Sequence, residues 1–451
     1  VTSILFSLVS FIVALGILVA VHEWGHFWVA RRCGVKVERF SIGFGKALWR
    51  KTDKLGTEYV IAAIPLGGYV KMLDDRVEPV KEQDLPYTFN HQPVLKRIAI
   101  IAAGPGTNFI FAIFALWLMF MLGQTKVHPL IGSVAPQSIA ALAGMQANEK
   151  IIAIGEQQTS DWESINIELM SFIGNAQLPV TTEVSTSGAV HHYQLDTTNW
   201  AFDPDKQSSL ASLGIKPWTP NITTTLALIS EDSPASRAGL QVNDKILRFN
   251  GTPVNKWEQI VGYIEANPAT DVTLTLLRDG REVTLPVSIG RQDVDGKVKG
   301  FLGVVPQQEA WPESYLFVQQ FNPVNAIYHA AVKTWRWMTL SVEMIGKLIT
   351  GDVSVKNLSG PISIAQGAGI SAAQGLVYFL SFLALISVNL GIINLLPLPV
   401  LDGGHLLYYF IELLTGKPVP ESVQETGFKI GGAVLLLLMT IAIVNDITRL
   451  S

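Results

Sequence analysis

The sequence predicts a polytopic α-helical membrane protein that carries a duplicated α+β module between its second and third spans. Three observations predict it. Charged residues fill only 16% of the 451 positions and hydrophobic ones 49%, whereas soluble domains are about 25% charged. Several long stretches carry no charge, and one block of sequence recurs at a fixed offset. The net charge of −4 comes without any long run of one sign, which argues against a nucleic-acid partner. Cys33 is the single cysteine, so an intrachain disulfide framework and a cysteine-based zinc cluster are excluded.

Residues 1–21, 98–125 and 375–401 are uncharged and long enough to cross a hydrocarbon core, which takes about 20 apolar residues. The run at 430–444 is shorter and becomes a fourth span when Phe428 and a snorkelling Lys429 extend it. Thirteen Lys and Arg residues lie from Arg31 to Arg97, and none precedes His22. By the positive-inside rule that segment is cytoplasmic and the N-terminus lies outside. Residues near 126–372 are then external, and the loop after Leu401 is internal. The first segment reads as a span, not a cleavable signal peptide, because no basic n-region accompanies its apolar run.

The external region is built from a repeat. "AGMQANEKIIAI" (143–154) returns as "AGLQVNDKILRF" (238–249), and "DWESI" (161–165) returns as "KWEQI" (256–260). Both pairs are 95 residues apart, so the unit is a duplicated domain and not a chance echo. Its second copy, Ser-Pro-Ala-x-x-Ala-Gly-Leu-x-x-x-Asp-x-Ile (233–246), resembles a PDZ domain. "SLGIKP" (212–217) and "FLGVVP" (301–306) resemble PDZ ligand loops. Each loop follows its helix block, which is the order of a circularly permuted PDZ fold. Such domains bind extended chain ends by adding a strand to a sheet edge; spacers that bind nothing are the alternative. Residues 323–350 read as one long or broken amphipathic helix. Its Trp335, Trp337, Lys333 and Arg336 suit either a membrane interface or packing on the neighbouring module.

The chemistry lies in "VHEWGH" (21–26). His22 and His26 are spaced i, i+4 and share a helix face. Two neutral imidazoles there suit zinc, and Glu23 suits the general base for zinc-bound water. Histidine and glutamate inside an apolar span are costly and point to function. At about 1.5 Å per residue, His26 lies about 7–8 Å and His22 about 13–14 Å above Arg31, the first cytoplasmic charge. A zinc hydrolase needs a third protein ligand and an open position. Asp402 in "NLLPLPVLDGGH" (394–405) reaches a similar depth from the third span, with Pro397 and Pro399 interrupting the helix. His405 is a rival ligand, read as outer-sphere or structural.

"HEWGH", the tandem modules, "NLSGPISIA" (357–365) and "NLLPLPVLDGG" together resemble the bacterial site-2 proteases, intramembrane zinc metalloproteases, and the resemblance spans the whole chain. It implies that His22, His26 and Asp402 ligate one Zn2+ per chain and that Glu23 is the catalytic base. It implies that Asn389, Asn394, Pro397 and Pro399 help hold substrate. The implied substrates are single-span membrane proteins already shortened by another protease, such as an anti-sigma factor, and signal-peptide remnants. The setting is envelope stress signalling at the bacterial inner membrane, with no nucleic acid involved. The other implied partners are membrane lipid and, at the PDZ domains, peptide C-termini. "RFSIGFGKALWR" (39–50) and "EYVIAAIPLGGYVKM" (58–72) read as a membrane-dipping β-sheet whose edge pairs with an unwound substrate, or as a hairpin that only packs.

The expected whole is a polytopic α-helical membrane protein (four transmembrane helices) with a cytoplasmic membrane-associated β-sheet and two periplasmic α+β PDZ domains. Its parts are transmembrane helix 1 (1–33), the β region (34–95), transmembrane helix 2 (96–124), PDZ domain 1 (125–219) and PDZ domain 2 (220–308). An amphipathic helical linker (309–372), transmembrane helix 3 (373–405), a cytoplasmic loop (406–428) and transmembrane helix 4 (429–448) follow. A PDZ-bearing membrane scaffold or chaperone with a vestigial metal site is the alternative function.

Overall fold

The computed structural model describes residues 4–200, 207–294, 297–351 and 353–450. They form two compact units. One joins Val1–His128, Val134–Ile215 and Phe317–Ser451; the other joins Pro129–Ser133 and Lys216–Leu316.

The first unit begins with helix α1 (Ile4–Arg32), which ends in the basic turn Arg31–Arg32. Its buried stripe is Ser10, Ala14, Leu18, His22, Gly25 and His26. The histidines therefore lie on the face that packs, not the one turned outward. Strands β1 (Val37–Thr52) and β2 (Glu58–Met72) follow. Both are too long to stay flat. Arg39, Phe40 and Ser41 of β1 pair with Glu58, Tyr59 and Val60 on one side and with Lys71, Val70 and Tyr69 on the other. The hairpin thus folds into four short antiparallel limbs, with 68–72 on one edge. Gly43 and Gly45, at φ 91° and 87°, make the bend that a side chain would resist. Phe44, Leu48, Trp49, Ile61 and Ile64 stay exposed on this sheet.

Helix α2 (Val94–Leu122) carries Pro105 within it. It crosses α1 at two glycines. A Cβ on Gly25 would strike the Ala103 carbonyl and the Thr107 hydroxyl, and one on Gly104 would strike the His26 ring. Small residues at such a crossing let two backbones approach closely.

The duplication reappears in detail. Helices α3 (Ile139–Leu142) and α4 (Trp162–Ser171) of the first copy are followed by α5 (Ser209–Ser212). Helices α6 (Pro234–Arg237) and α7 (Trp257–Ala266) of the second copy stand 95 residues after α3 and α4. Ser138 and Ser233 cap α3 and α6 alike. In the first copy the amides of Ala135 and Ala140 donate to the carbonyls of Gly214 and Leu213; in the second, Ser230 and Ala235 donate to Gly303 and Leu302. Each Leu-Gly loop is thus fastened to the helix block that opens its own copy. In the second unit Leu226, Ile246, Phe249, Ile260, Leu274 and Leu276 fill the core between sheet and helix.

Helix α8 (Pro323–Thr350) is unbroken and capped by Asn322. Its Ala326, Ala330 and Trp337 share one core with Ala112, Ala115, Leu116 and Met119 of α2. The same helix sends Lys333 to Glu163 (3.0 Å), Arg336 to Glu168, and Lys347 to the Ser171 carbonyl (2.7 Å), all on α4. The amphipathic pattern therefore packs against a span and the first module, while Tyr328, Trp335 and Val342 stay exposed.

Helices α9 (Pro361–Ala373), α10 (Leu376–Leu395), α11 (Asp402–Thr415) and α12 (Glu421–Leu450) complete the unit. The Leu380, Ala384 and Val388 side chains of α10 join the core of α2 and α8. Two expectations change here, while the segment expected as a helical linker holds α8 and nearly all of α9. The third span stops at Leu395, short of 405, because Pro397 and Pro399 cannot donate helical hydrogen bonds. The expected loop at 406–428 is largely helix: α11 runs to the left-handed cap Gly416, and α12 starts well before its apolar run. α12 is held near its end by Asp446, whose carboxylate accepts from the amides of Gly360 (2.9 Å) and Ile362 (2.8 Å) at the start of α9. Helices α1, α2, α10 and α12 are the ones long and apolar enough to cross a membrane, among the described residues.

Candidate metal centre

Three segments far apart in the chain build the centre. α1 presents His22 and His26 one turn apart. α11 presents Asp402 at its first position, where the helix dipole favours an anion. The chain between α10 and α11 folds tightly enough that Gly403 and Gly404 are needed: a Cβ on Gly404 would lie 2.5 Å from the Leu398 carbonyl oxygen.

The candidate ligand atoms converge. His22 Nε2 and His26 Nε2 are 3.2 Å apart. Asp402 Oδ2 is 3.2 Å from the first and 3.4 Å from the second. An ion bound tetrahedrally at about 2.0–2.1 Å separates its ligand atoms by about 3.3–3.4 Å. The triangle has that size.

Hydrogen bonding says the same. His26 Nδ1 lies 2.8 Å from the Ile100 carbonyl, an acceptor only, so this nitrogen carries the proton. In the neutral ring Nε2 then presents a lone pair. Asp402 Oδ2 is buried and has no hydrogen-bond partner although both imidazoles are near it. Lone pairs facing one another in a buried site repel unless a cation lies between them. The donor set of two imidazoles and a carboxylate is one that zinc accepts. Among the described residues this is the one such group of histidine, cysteine and acidic side chains.

Glu23 shares the turn of α1 that carries both histidines. The edge limb of β2 lies against this turn. Its Gly68 packs on Glu23: a Cβ there would lie 3.1 Å from Glu23 Cγ. The edge strand and the acid are thus in contact.

The other residues that the sequence singles out lie elsewhere. Asn389 is engaged with α8, its Oδ1 accepting from the Ser341 hydroxyl at 2.8 Å. Asn394 is half-buried in the last turn of α10, and Pro397 is exposed in the loop after it. Pro399 packs on α12, where a Cβ on Gly431 would meet its Cδ at 3.0 Å. His405 is not in the ligand group; its ring faces Phe428 of α12 at 5.4 Å.

The pattern of single helices gives no sign that α2 belongs to the site, yet α2 touches both histidines. Ile100 holds His26. The Asn108 amide lies 3.1 Å from His22 Nδ1. Gly104 makes room for both rings. The available signal is "GPGTN" (104–108), a polar and helix-weakening stretch inside an apolar span.

The model of Peptidase family M50 matches residues 10–438. The chain belongs to peptidase family M50. Among its M50 relatives is the regulator of sigma-E protease RseP of Salmonella typhimurium, 53% identical over 448 residues, covering 99% of this chain and 100% of the relative. A putative zinc metalloprotease of Vibrio cholerae is 50% identical over 453 residues and covers both chains completely. A solved PDZ domain of an SdrC-like protein from Listeria monocytogenes covers 20% of this chain and 92% of its own, at 15% identity and a TM-score of 0.17. That score is too low to establish the fold of either module. The M50 match and these relatives make the chain a site-2-type metalloprotease of regulated intramembrane proteolysis. Zinc is the metal of this family, and the apolar helices make the chain a membrane protein.

Proposed function

We propose that His22, His26 and Asp402 hold one zinc ion, that Glu23 is the general base, and that the chain cuts transmembrane segments of single-span proteins. The observation that carries the reading is the buried triangle of three lone-pair atoms with Glu23 on the same helical turn. Zinc bound there polarises the scissile carbonyl and makes water acidic enough to attack near neutral pH. Glu23 takes the proton of the attacking water and returns it to the departing amine. His26 is held by Ile100 in the tautomer that aims Nε2 at the site.

The substrate must unwind, because its own helical turns shield the scissile bond. Its freed backbone groups need partners in lipid. The edge limb of β2 is the partner we infer, since its Gly68 packs on Glu23. Asn389, Asn394, Pro397 and Pro399 are assigned to substrate binding; Asn389 must then exchange its Ser341 hydrogen bond for one to the substrate.

The topology that fits the charge pattern has four spans, an external N-terminus, and the active site near the cytoplasmic face of an inner membrane. Residues 125–219 and 220–308 are assigned as two periplasmic PDZ domains. Pre-shortened proteins of the anti-sigma-factor type and signal-peptide remnants are the substrates, a reading supported by the sigma-E name of the 53% identical relative. The modules either exclude unshortened substrates or recruit new C-termini at their Leu-Gly loops. Deleting both modules admits unshortened substrates in the first case and slows cleavage of shortened ones in the second.

The deciding experiment is Glu23→Gln in the full chain with a reporter span. Cleavage should vanish while zinc content and substrate capture persist. Undiminished cleavage by a clean preparation sinks the assignment of Glu23. A wild-type chain that holds no zinc and cuts nothing, yet retains peptides, is the scaffold.

A further inference from the structure

We propose that Asn108 is a positioning residue that acts on the metal through His22. The inference rests on the ligand assignment above and adds a group to it.

Asn108 is completely buried in the middle of α2. A primary amide in the apolar interior of a span is costly and requires a partner. One end of this amide lies 3.1 Å from His22 Nδ1, and Oδ1 has no partner at all. Oxygen and nitrogen of an amide are told apart only by their hydrogen bonds. When His22 Nε2 faces a metal, Nδ1 must carry the ring proton. An N–H facing the amide NH2 would set two donors against each other. Exchanging the amide ends removes that conflict: Oδ1 then accepts from His22 Nδ1–H, and the atom left without a partner becomes the nitrogen.

His26 already has this arrangement, with the Ile100 carbonyl as its acceptor. Ile100 and Asn108 lie eight residues apart on α2, which is slightly more than two helical turns and returns them to one face. α2 thus supplies one acceptor to each histidine. The Ile100 acceptor is main chain and tolerates substitution. The Asn108 acceptor is a side chain, so only this half of the device can be removed by mutation. The main-chain role of Asn108 is separate: its carbonyl accepts from the Ser387 hydroxyl at 2.8 Å, and side-chain replacement leaves that bond in place.

The test uses the full chain in detergent, with zinc affinity measured by chelator competition and melting of the zinc-free protein as the control for fold. Asn108→Leu keeps the volume and offers no acceptor; zinc should bind about 10–100-fold more weakly. Asn108→Asp keeps an acceptor facing His22 and should hold zinc at least as tightly as wild type. The cobalt-substituted Leu variant should show an altered visible spectrum, and the Asp variant should not. Zinc affinity unchanged in Asn108→Leu overturns the proposal. So does an Asp variant that loses zinc as the Leu variant does, because packing and not the acceptor would then matter. Should Asn108→Leu fail to melt cooperatively, the Asp variant decides alone. If wild type binds no zinc and His22→Ala changes nothing, the ligand assignment itself falls.

Discussion

Gly104 of α2 and His26 of α1 leave no space for a methyl group between them. A Cβ at position 104 would stand 2.5 Å from His26 Cε1 and 2.8 Å from His22 Cε1. Both distances are well inside contact, and both rings are already fixed by their other nitrogens. Gly104→Ala should therefore displace the imidazoles and lower zinc affinity on the order of 100-fold, an effect of the size seen when partners of ligating histidines are lost. The helix itself should not suffer, since alanine is the better helix former by about 1 kcal/mol. Metal content beside a circular-dichroism spectrum checks both halves. A zinc-replete Gly104→Ala protein would count against the packing described.

Gly68 offers the contrasting case. A Cβ there would lie 2.7 Å from Val19 Cγ1 and 2.7 Å from the Ser41 carbonyl oxygen, and 3.1 Å from Glu23 Cγ. The conflict falls between the β2 edge and α1 and does not reach the histidines. Gly68→Val should push the edge limb away from Glu23 and slow cleavage on the order of 100-fold, the cost of a displacement near 1 Å at a reacting group. Zinc content should stay at the wild-type value. Comparing the two glycine variants separates holding the metal from presenting the substrate.

The contact between α4 and α8 has its own pH dependence. Burial pushes the Glu163 carboxyl upward, but Lys333 and Lys126 outweigh it and hold the group at about 2, below its ordinary 4.5. A carboxyl with a lowered folded value stabilises the structure above about pH 4.5 and ceases to do so as pH falls towards 2. Amide-exchange protection in α4, corrected for intrinsic rates, should be flat from pH 8 to pH 5 and fall below pH 4. Glu163→Gln should remove that acid-sensitive step. A wild-type profile that declines between pH 8 and 6 would show that another group controls the contact.

The sequence reveals what is encoded within one element. The i, i+4 histidines, the uncharged spans, the 95-residue echo and the proline break after α10 are all local patterns. The uncharged runs at 1–21 and 98–125 fall largely within α1 and α2, the echo at 161–165 and 256–260 falls at the starts of α4 and α7, and the bounds of α8 match residue for residue. What it conceals is relational. The hydrogen bonds of His22 and His26 to α2 join residues 86 and 74 positions apart. No periodicity along either helix reports such a crossing. α11 escapes for another reason. Leu407, Phe410, Ile411 and Leu414 are exposed on it, so its apolar face reads like the end of a span or a greasy loop. The Asn389–Ser341 bond is likewise invisible, because it depends on how α8 lies against α10.

On the proposed ligand set, the order of the ligands along the chain matters during synthesis. His22 and His26 emerge first, Asn108 and Ile100 later, and Asp402 only 376 residues after His26. Until then the two imidazoles have no third ligand, and a pair of histidines alone holds zinc weakly. The emerging chain is, on that assignment, an unarmed precursor until then. On the proposed ligand set, the scissors are armed only once the third ligand has been made.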